Sequence, residues 1–371
     1  MDDLDRALAL ARAPGLHVDH LRAAAALDEP LRLPGSAAAT LVARGLPAAA
    51  AAWLAVPNLA EIAADRRWLQ VAGGSLILCT SEHYPPLLGE IPTAPVALYL
   101  RGDAGVLLSA QLAVVGSRNP TASGGRTARD FALYLARAGL TITSGLAVGI
   151  DAAAHAGALA APGRTIGVQG CGLDQIYPPE HAALAQGILA QGGALLSEFP
   201  PGTPPRRENF PRRNRLISGL SLGTLVVEAA RQSGSLITAR LATAQGREVF
   251  AIPGSIHNPL SRGCHELIRQ GAKLVESATD ILSELQIPYA KQSLADGAND
   301  VSAGAGRPLG LDKDYEILLD ALGFEPASID QLVERTGLPS SNLASMLLIL
   351  ELEGRVGPHA GGRYLRLQQG H

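Results

Sequence analysis

Between about residue 110 and 286, short β-branched apolar runs alternate with amphipathic stretches. The pattern predicts strands over Leu112–Gly116, Leu140–Ser144, Thr165–Gly170, Ala194–Ser197, Thr224–Glu228, Glu248–Ile252 and Lys273–Val275. Between them it predicts helices over Gly125–Arg137, Asp151–Ala160, His181–Gln191, Leu236–Gln245 and Cys264–Arg269. Strands separated by helices imply βαβ units, hence an α/β, doubly wound, mostly parallel sheet of the Rossmann-like kind. Ligands of such sheets bind beyond the carboxyl ends of the strands.

The flanking segments follow other patterns. Residues 1–70 read as short Ala/Leu helices broken at Pro14-Gly15, Pro34-Gly35 and Gly45-Leu46-Pro47. They suggest a small helical domain of the SAM or helix-hairpin-helix kind, with too few cations for a DNA grip. Residues 71–109 read as a connector packing on the core, and 110–286 as the Rossmann-like domain. Residues 287–309, rich in Ser, Gly, Ala and Asp, read as a flexible linker. From 310 to 371 come helices over Asp312–Leu322, Ile329–Thr336 and Ser340–Glu353, then a β-ribbon over Arg355–Leu367. That is the outline of a winged helix.

Composition narrows the chemistry. With 47% apolar and 18% charged residues the chain carries a sizeable core, and a net charge of −3 argues against coating duplex DNA by bulk charge. The lysines are Lys273, Lys291 and Lys313 alone. Cys79, Cys171 and Cys264 form no Cys-x-x-Cys pair, so neither a disulfide framework nor a zinc site is expected. The acidic start, Met1-Asp2-Asp3-Leu4-Asp5, and the lack of any long apolar run predict a cytoplasmic protein without membrane insertion.

Against that background one segment stands out. Residues 206–215, Arg-Arg-Glu-Asn-Phe-Pro-Arg-Arg-Asn-Arg, hold five arginines in ten positions around Phe210. The run follows the non-helical Phe199-Pro200-Pro201-Gly202-Thr203-Pro204-Pro205 and enters an apolar helix at Leu216. On composition alone it is a solvated helix face with salt bridges. Three observations favour a site for single-stranded nucleic acid: Glu208 is the one nearby acid, the charges gather at an element boundary, and an aromatic lies among them.

The predicted strand ends add candidates. They are Gly116, Ser117 and Arg118 after the first strand, Ser144, Gly145 and Gly149 after the second, and Ser233, Gly234, Ser235 and Thr238 further on. Glycine lets a backbone approach a phosphate, and amides at a helix start favour an anion, although each glycine alone is equally explained by tight turning. Asp151 reads as a helix cap. His155, His181, His257 and His265 read as capping or surface histidines. No P-loop and no Gly-x-Gly-x-x-Gly follows the first strand, and no catalytic pair stands at motif spacing, so no cofactor is expected.

Taken together, several segments resemble the DprA/Smf family: Gly116-Ser117-Arg118, Ser144-Gly145-Leu146-Ala147-x-Gly149-Ile150-Asp151, Gly170-Cys171-Gly172-Leu173-Asp174 with Ile176-Tyr177-Pro178, Asn209-Phe210-Pro211-x-Arg213-Asn214-Arg215, Ser233-Gly234-Ser235-Leu236-Ile237-Thr238-Ala239 and Ile252-Pro253-Gly254. The likeness spans most of 84–286, and the three-part layout agrees with it. It implies a non-enzymatic, sequence-independent single-stranded-DNA-binding protein of natural transformation that shields incoming DNA and loads RecA. It also implies a homodimer, with single-strand-binding protein as a further partner. It assigns backbone contacts to Arg118 and Arg207, the latter an arginine where some relatives carry lysine. It places Phe210, Arg213, Asn214 and Arg215 in the pocket wall, and Asn209 and Arg212 in the same run are further candidate contacts to the strand. Its dimer region corresponds to about 256–285, including His265, Leu267 and Leu274, where apolar residues are equally expected in the core. Gln169 is a polar departure from an otherwise apolar strand. The winged helix is a poor candidate for base reading, because Ser340–Glu353 has no Lys or Arg and offers Asn342 alone, with Arg355, Arg363 and Arg366 on the wing.

Two rivals share the scaffold. One is a nucleotide-processing protein like the LOG phosphoribohydrolases, which use a Pro-Gly-Gly-x-Gly-Thr turn where this chain has Ser233-Gly234-Ser235. The other is a nucleotide-sensing Rossmann protein or winged-helix regulator, disfavoured by the acidic end of the expected recognition helix.

Overall fold

The computed structural model describes residues 1–287, 313–323 and 326–367, and the chain divides into two compact units, Met1–Tyr289 and Ala290–His371. The expected linker 287–309 lies, apart from its first residue, outside the described residues.

The first unit opens with α1 (Asp3–Arg12), α2 (Val18–Ala23), α3 (Ala38–Ala43), α4 (Ala48–Ala55) and α5 (Leu59–Ala72). A nine-stranded sheet follows. Its strands are β1 (Gly74–Leu78), β2 (Ala97–Gly102), β3 (Gln111–Val115), β4 (Thr141–Ser144), β5 (Thr165–Val168), β6 (Ala194–Ser197), β7 (Gly223–Val226), β8 (Glu248–Ala251) and β9 (Lys273–Leu274). The helices between and after them are α6 (Pro86–Gly89), α7 (Ala122–Arg137), α8 (Ile150–Ala160), α9 (Ala182–Ala190), α10 (Asn209–Gly219), α11 (Gly234–Ala244), α12 (Arg262–Arg269) and α13 (Ala278–Glu284). The strand order is β1-β2-β6-β5-β4-β3-β7-β8-β9. From β6 to β9 every neighbouring pair is parallel. Strands β3 to β7 are buried at every position, because helices cover both faces; hence the continuous apolar runs in the sequence.

The segment 71–109, expected as a connector, instead supplies two antiparallel strands. β1 pairs with β2 from Gly74↔Arg101 to Leu78↔Ala97, and β2 pairs with β6 through Tyr99↔Ser197. Residues 1–70, expected as a domain of their own, share a core with the sheet. Leu8, Leu10, Leu21, Leu54 and Ile62 pack in one cluster with Tyr99, Leu146, Leu173, Ile188 and Leu195. A buried ion pair locks that junction. Arg12 on α1 donates to both oxygens of Asp65 on α5 at 2.7 and 2.8 Å, and Tyr99 Oη on β2 donates to Asp65 Oδ2 at 2.9 Å. The same guanidinium reaches the carbonyl of Pro201 at 3.4 Å, tying α1 to the proline-rich loop that leads into the arginine run.

The second unit comprises α14 (Lys313–Leu322), β10 (Ala327–Ser328), α15 (Ile329–Thr336), α16 (Ser340–Leu352), β11 (Val356–His359) and β12 (Arg363–Arg366), with a sheet in the order β10-β12-β11. Ser328 and Gln331 form a reciprocal cap on α15, and Gly337 ends it in the left-handed conformation. α16 leaves Leu348, Ile349 and Leu352 exposed. Among the described residues no helix is long and apolar enough to cross a membrane.

His155, expected at the surface or as a cap, is fully buried on α8. Thr165 Oγ1 donates its proton to the Ile142 carbonyl at 2.6 Å, so at 2.7 Å it must accept from His155 Nδ1–H. The imidazole Nε2 is then a buried atom with no partner, and burial depresses the ring's pKa to about 3. A depressed histidine binds its proton in the unfolded chain first, so its stabilising contribution is present above about pH 6.5 and is lost as pH falls toward 3. We predict that the urea stability of the wild type falls, between pH 5.5 and 4, about 1.4 kcal/mol per pH unit more steeply than that of His155→Leu. Parallel pH dependences in the two proteins would refute the buried neutral tautomer.

Candidate nucleic-acid interface

β3 lies between β4 and β7, so the chain leaves it toward one side of the sheet and returns to the other. This is the switch point at which open α/β sheets form a crevice. The turns beyond β3, β4 and β7, together with the start of α10, enclose a groove of about 880 Å³. Of the residues singled out in the sequence, Gly116, Ser117, Arg118, Arg207, Phe210, Arg213, Asn214, Ser233, Gly234, Ser235 and Thr238 line it. Segments far apart in sequence therefore meet in one place.

Behind the groove lies a buried cation. Arg213, 4% exposed, comes from the second turn of α10. Its Nη1 donates to the carbonyl of Gly145 at 2.6 Å and also to the carbonyl of Val168 at the end of β5. Loss of water lowers its pKa to about 10, which the neighbouring Asp151 carboxylate opposes; the guanidinium stays charged at neutral pH. Asp151 Oδ2 accepts from the Gly145 amide at 3.0 Å, across the turn before its own helix. It therefore organises that turn, where a cap had been expected. Burial holds the pKa of its carboxyl above the usual carboxylate value, and Arg213 with the turn amides offsets only part of that rise.

Several expected contacts are corrected by this arrangement. Ser144 spends its hydroxyl on the Val114 carbonyl at 2.6 Å inside the sheet. Gly145 serves the Asp151 turn. Gly149, at φ +86°, sits against the turn after β3, where a Cβ would lie 2.4 Å from the Ser117 carbonyl oxygen. Asn209 is 5% exposed and, like Ser144, Gly145 and Gly149, does not line the groove. Arg215 is buried in an ion pair with Glu198, and Arg212 lies 3.6 Å from Glu198 and 5.5 Å from the centre of the Phe199 ring. These two arginines fulfil the plain salt-bridge reading. Their acid comes from the end of β6, out of reach of a local count of charges.

The three strand-end turns also differ in charge. At the start of α7, Glu228 accepts from the Thr121 amide at 2.9 Å and from the Thr121 hydroxyl at 2.7 Å. Gly124 makes room for that carboxylate, since a Cβ there would lie 2.4 Å from Glu228 Cδ. The turn before α8 carries Asp151. Both are already compensated by the protein's own anions. Only the start of α11 presents hydroxyls and no carboxylate: Ser233 caps it, with its Oγ 2.7 Å from Ser235 Oγ. An external phosphate is favoured at that helix start and opposed at the other two turns.

The groove also holds residues that sequence reasoning missed as functional. Tyr177 lines it, with its ring centre 5.6 Å from that of Phe210. The Arg118 guanidinium lies 5.8 Å and that of Arg213 6.0 Å from the Phe210 centroid. Gln169, the polar departure in its strand, is the support. It is 1% exposed, its Oε1 accepts from the Tyr177 amide at 2.9 Å, and its Nε2 donates to the Gln175 carbonyl at 3.4 Å. The signal available in the sequence was the Ile176-Tyr177-Pro178 motif itself, quoted without a role. Of the candidate dimer residues, Leu267 belongs to the core at 6% exposure, His265 Nε2 lies 2.9 Å from the Gly254 carbonyl, and Leu274 is 44% exposed.

Known proteins resemble this chain over both units. The family DNA recombination-mediator protein A matches residues 75–286, and the DprA winged helix domain matches residues 303–362. Protein Smf of Escherichia coli is 48% identical over 303 residues, 81% of this chain and 80% of that protein. The DNA processing protein DprA of Bacillus subtilis is 47% identical over 214 residues, 57% of this chain and 72% of that protein. Among solved structures, DprA of Streptococcus pneumoniae superposes with a TM-score of 0.65 at 35% identity, covering 76% of this chain and 97% of that one. DNA processing protein A of Helicobacter pylori, described for its single-stranded DNA binding mode, gives a TM-score of 0.53 at 32% identity and covers 58% of this chain and 97% of that one. The chain belongs to the DprA/Smf family of DNA recombination-mediator proteins.

Proposed function

We propose that the groove binds single-stranded DNA without regard to sequence. The protein then acts as a mediator that holds the strand and passes it to RecA, without chemical change to the DNA. The observation that carries the reading is the convergence, on one groove, of Arg118, Arg207, the carboxylate-free start of α11 and the Tyr177–Phe210 pair. Cations and hydroxyls suit a sugar–phosphate backbone, and π-faces accept any base. The single-stranded DNA binding mode for which the Helicobacter pylori protein is described supports the same ligand here. RecA as recipient, single-strand-binding protein as a further partner and a homodimer whose contact includes Leu274 are part of the proposal, supported by the family's role as recombination mediator.

The hydrolytic alternative needs a free acid or base, and the two carboxylates at the strand-end turns are engaged. Asp151 is buried against Arg213, and Glu228 is engaged by Thr121 at the start of α7. Release of free base from AMP or CMP by the pure protein would revive it. We assign the winged unit to protein contact, because α16 offers exposed Leu348, Ile349 and Leu352 beside Glu351 and Glu353.

Three measurements bear on this reading. Arg118→Ala and Arg207→Ala should each weaken oligo-dT binding roughly tenfold, the cost of a lost hydrogen bond to a charged partner. Each should also reduce the slope of log K against log salt by about 0.7, irrespective of sequence. Arg213→Ala should behave differently: leaving Asp151 buried without its partner should cost about 3–5 kcal/mol of folding stability in a urea titration. Unchanged affinity in the first two variants would remove the groove from DNA binding. Separately, the full chain should show no preference among duplexes of different sequence; tight, sequence-selective duplex binding lost on deletion of residues 310–371 would overturn the assignment of the winged unit.

A further inference from the structure

The two edges of the nine-stranded sheet are guarded very differently. β9, at one edge, has two residues, and its Lys273 pairs with Glu284 at 2.7 Å. A short, charged edge is protected against stray strand pairing. β1, at the other edge, has five residues, Gly74-Ser75-Leu76-Ile77-Leu78, none of them charged. Neither a charge nor a proline occurs between Arg67 and Glu82, and Val71, just ahead of the strand, is 88% exposed. This edge is bare.

The ladder shows which of its backbone groups are left over. The Cys79 amide donates to the Val96 carbonyl at 2.8 Å, and the register runs from Gly74↔Arg101 to Leu78↔Ala97. Bonded and non-bonded positions alternate along an antiparallel pair. Cys79, Ile77 and Ser75 therefore turn their amides and carbonyls toward β2, and Leu78, Leu76 and Gly74 turn theirs outward. The far side of β2 agrees. The Asp103 amide donates to the Gly193 carbonyl at 3.2 Å, so Arg101 and Tyr99 are the residues turned to β6. The Leu78 carbonyl accepts from the Ser81 amide at 2.9 Å, whereas the outward groups of Leu76 have no backbone partner among the described residues.

We propose that β1 pairs with β1 of a second copy of this chain, antiparallel and centred on Leu76, joining two sheets edge to edge. The strand itself selects that occupant. Its outward groups centre on one residue, so it meets its own twofold image in register. Leu76 exchanges both of its free bonds with Leu76 of the second copy, and the Leu78 amide reaches the Gly74 carbonyl across the axis. Self-pairing sets a strand against its own charges, and like charges opposite one another are destabilising. β1 has none to repel. The contact lies at the opposite end of the sheet order from Leu274, so it is independent of the homodimer proposed above, and copies using both contacts stand in a row.

The test uses the full chain in sedimentation equilibrium. Leu78→Pro removes an outward amide and leaves the β1–β2 bonds in place, as proline allows on an edge strand. Ser75→Lys adds an edge charge without touching the backbone. The wild-type mass should rise with concentration to about twice that of either variant, since each twofold contact joins two particles. Leu274→Arg should leave that difference standing. Register is read with Leu76→Cys: directly opposed residues of a bonded pair have Cα atoms about 5.5 Å apart, within disulfide reach. Oxidised glutathione should then link two chains through Leu76→Cys, and should link neither the wild type nor Ser75→Cys. Equal masses in wild type, Leu78→Pro and Ser75→Lys at every concentration would overturn self-pairing and leave the edge to a strand of another protein. A rise in mass abolished by Leu274→Arg but untouched by both edge variants would sink it while keeping the homodimer. Failure of Leu76→Cys to cross-link would remove the Leu76-centred register.

Discussion

The Rossmann-like unit depends on a charge kept away from water. Arg213 reaches from the second turn of α10 to two strand-end carbonyls, with Asp151 beside it. The carbonyls of Gly145, just past β4, and Val168, at the end of β5, need donors where the ladder stops. Here a protein cation supplies them. A buried pair of this sort contributes little net stability, because desolvation offsets attraction. Its use is geometric: it fixes α10 against the ends of β4 and β5, so that Phe210 and Arg207, on the same segment, always face the groove.

The distribution of carboxylates follows the same logic. Glu228 and Asp151 compensate two of the three turns from within, which stabilises the empty protein and leaves the start of α11 as the anion-ready end. A dinucleotide-binding fold puts its pyrophosphate at the helix after its first strand. In this chain that place, the start of α7, is taken by Glu228. The fold has kept the crevice and changed its charge pattern, so the compact diphosphate of a cofactor meets an anion already present. A strand with one charge per nucleotide, drawn out along the groove, does not need that position.

The sheet was largely legible in the sequence, and the reason is burial. Strands covered on both faces read as unbroken apolar runs, as in Leu112–Val115 and Leu225–Val226, and their boundaries came within a residue or two. β1 and β2 were not legible, because β1 is half-exposed at most positions and both strands lie among prolines and glycines that resemble a connector. Site legibility divided in the same way. Backbone-driven features, such as glycine at the turns, were visible. The roles of individual arginines were not, since those depend on acids brought in by the fold: Glu198 from β6 claims Arg212 and Arg215, and Asp151 from α8 stands beside Arg213. Arg118 and Arg207, which no such acid claims in the described structure, are the cations left to face the groove.

Gln169 shows why a single departure from pattern is worth following. In an apolar strand a buried amide costs free energy unless both its donor and its acceptor find partners. Both are met by the backbone of the loop 170–178, so the side chain converts a strand end into an anchor for a loop. The same loop then holds the proline-rich segment through Thr203 and Gly202, and α1 grips that segment through Arg12 at Pro201. The proline-rich segment is thus fixed from the sheet and from the N-terminal helices at once, just before the chain delivers Arg207. Removing the helices would therefore take away one of the two supports of the segment that leads into Arg207.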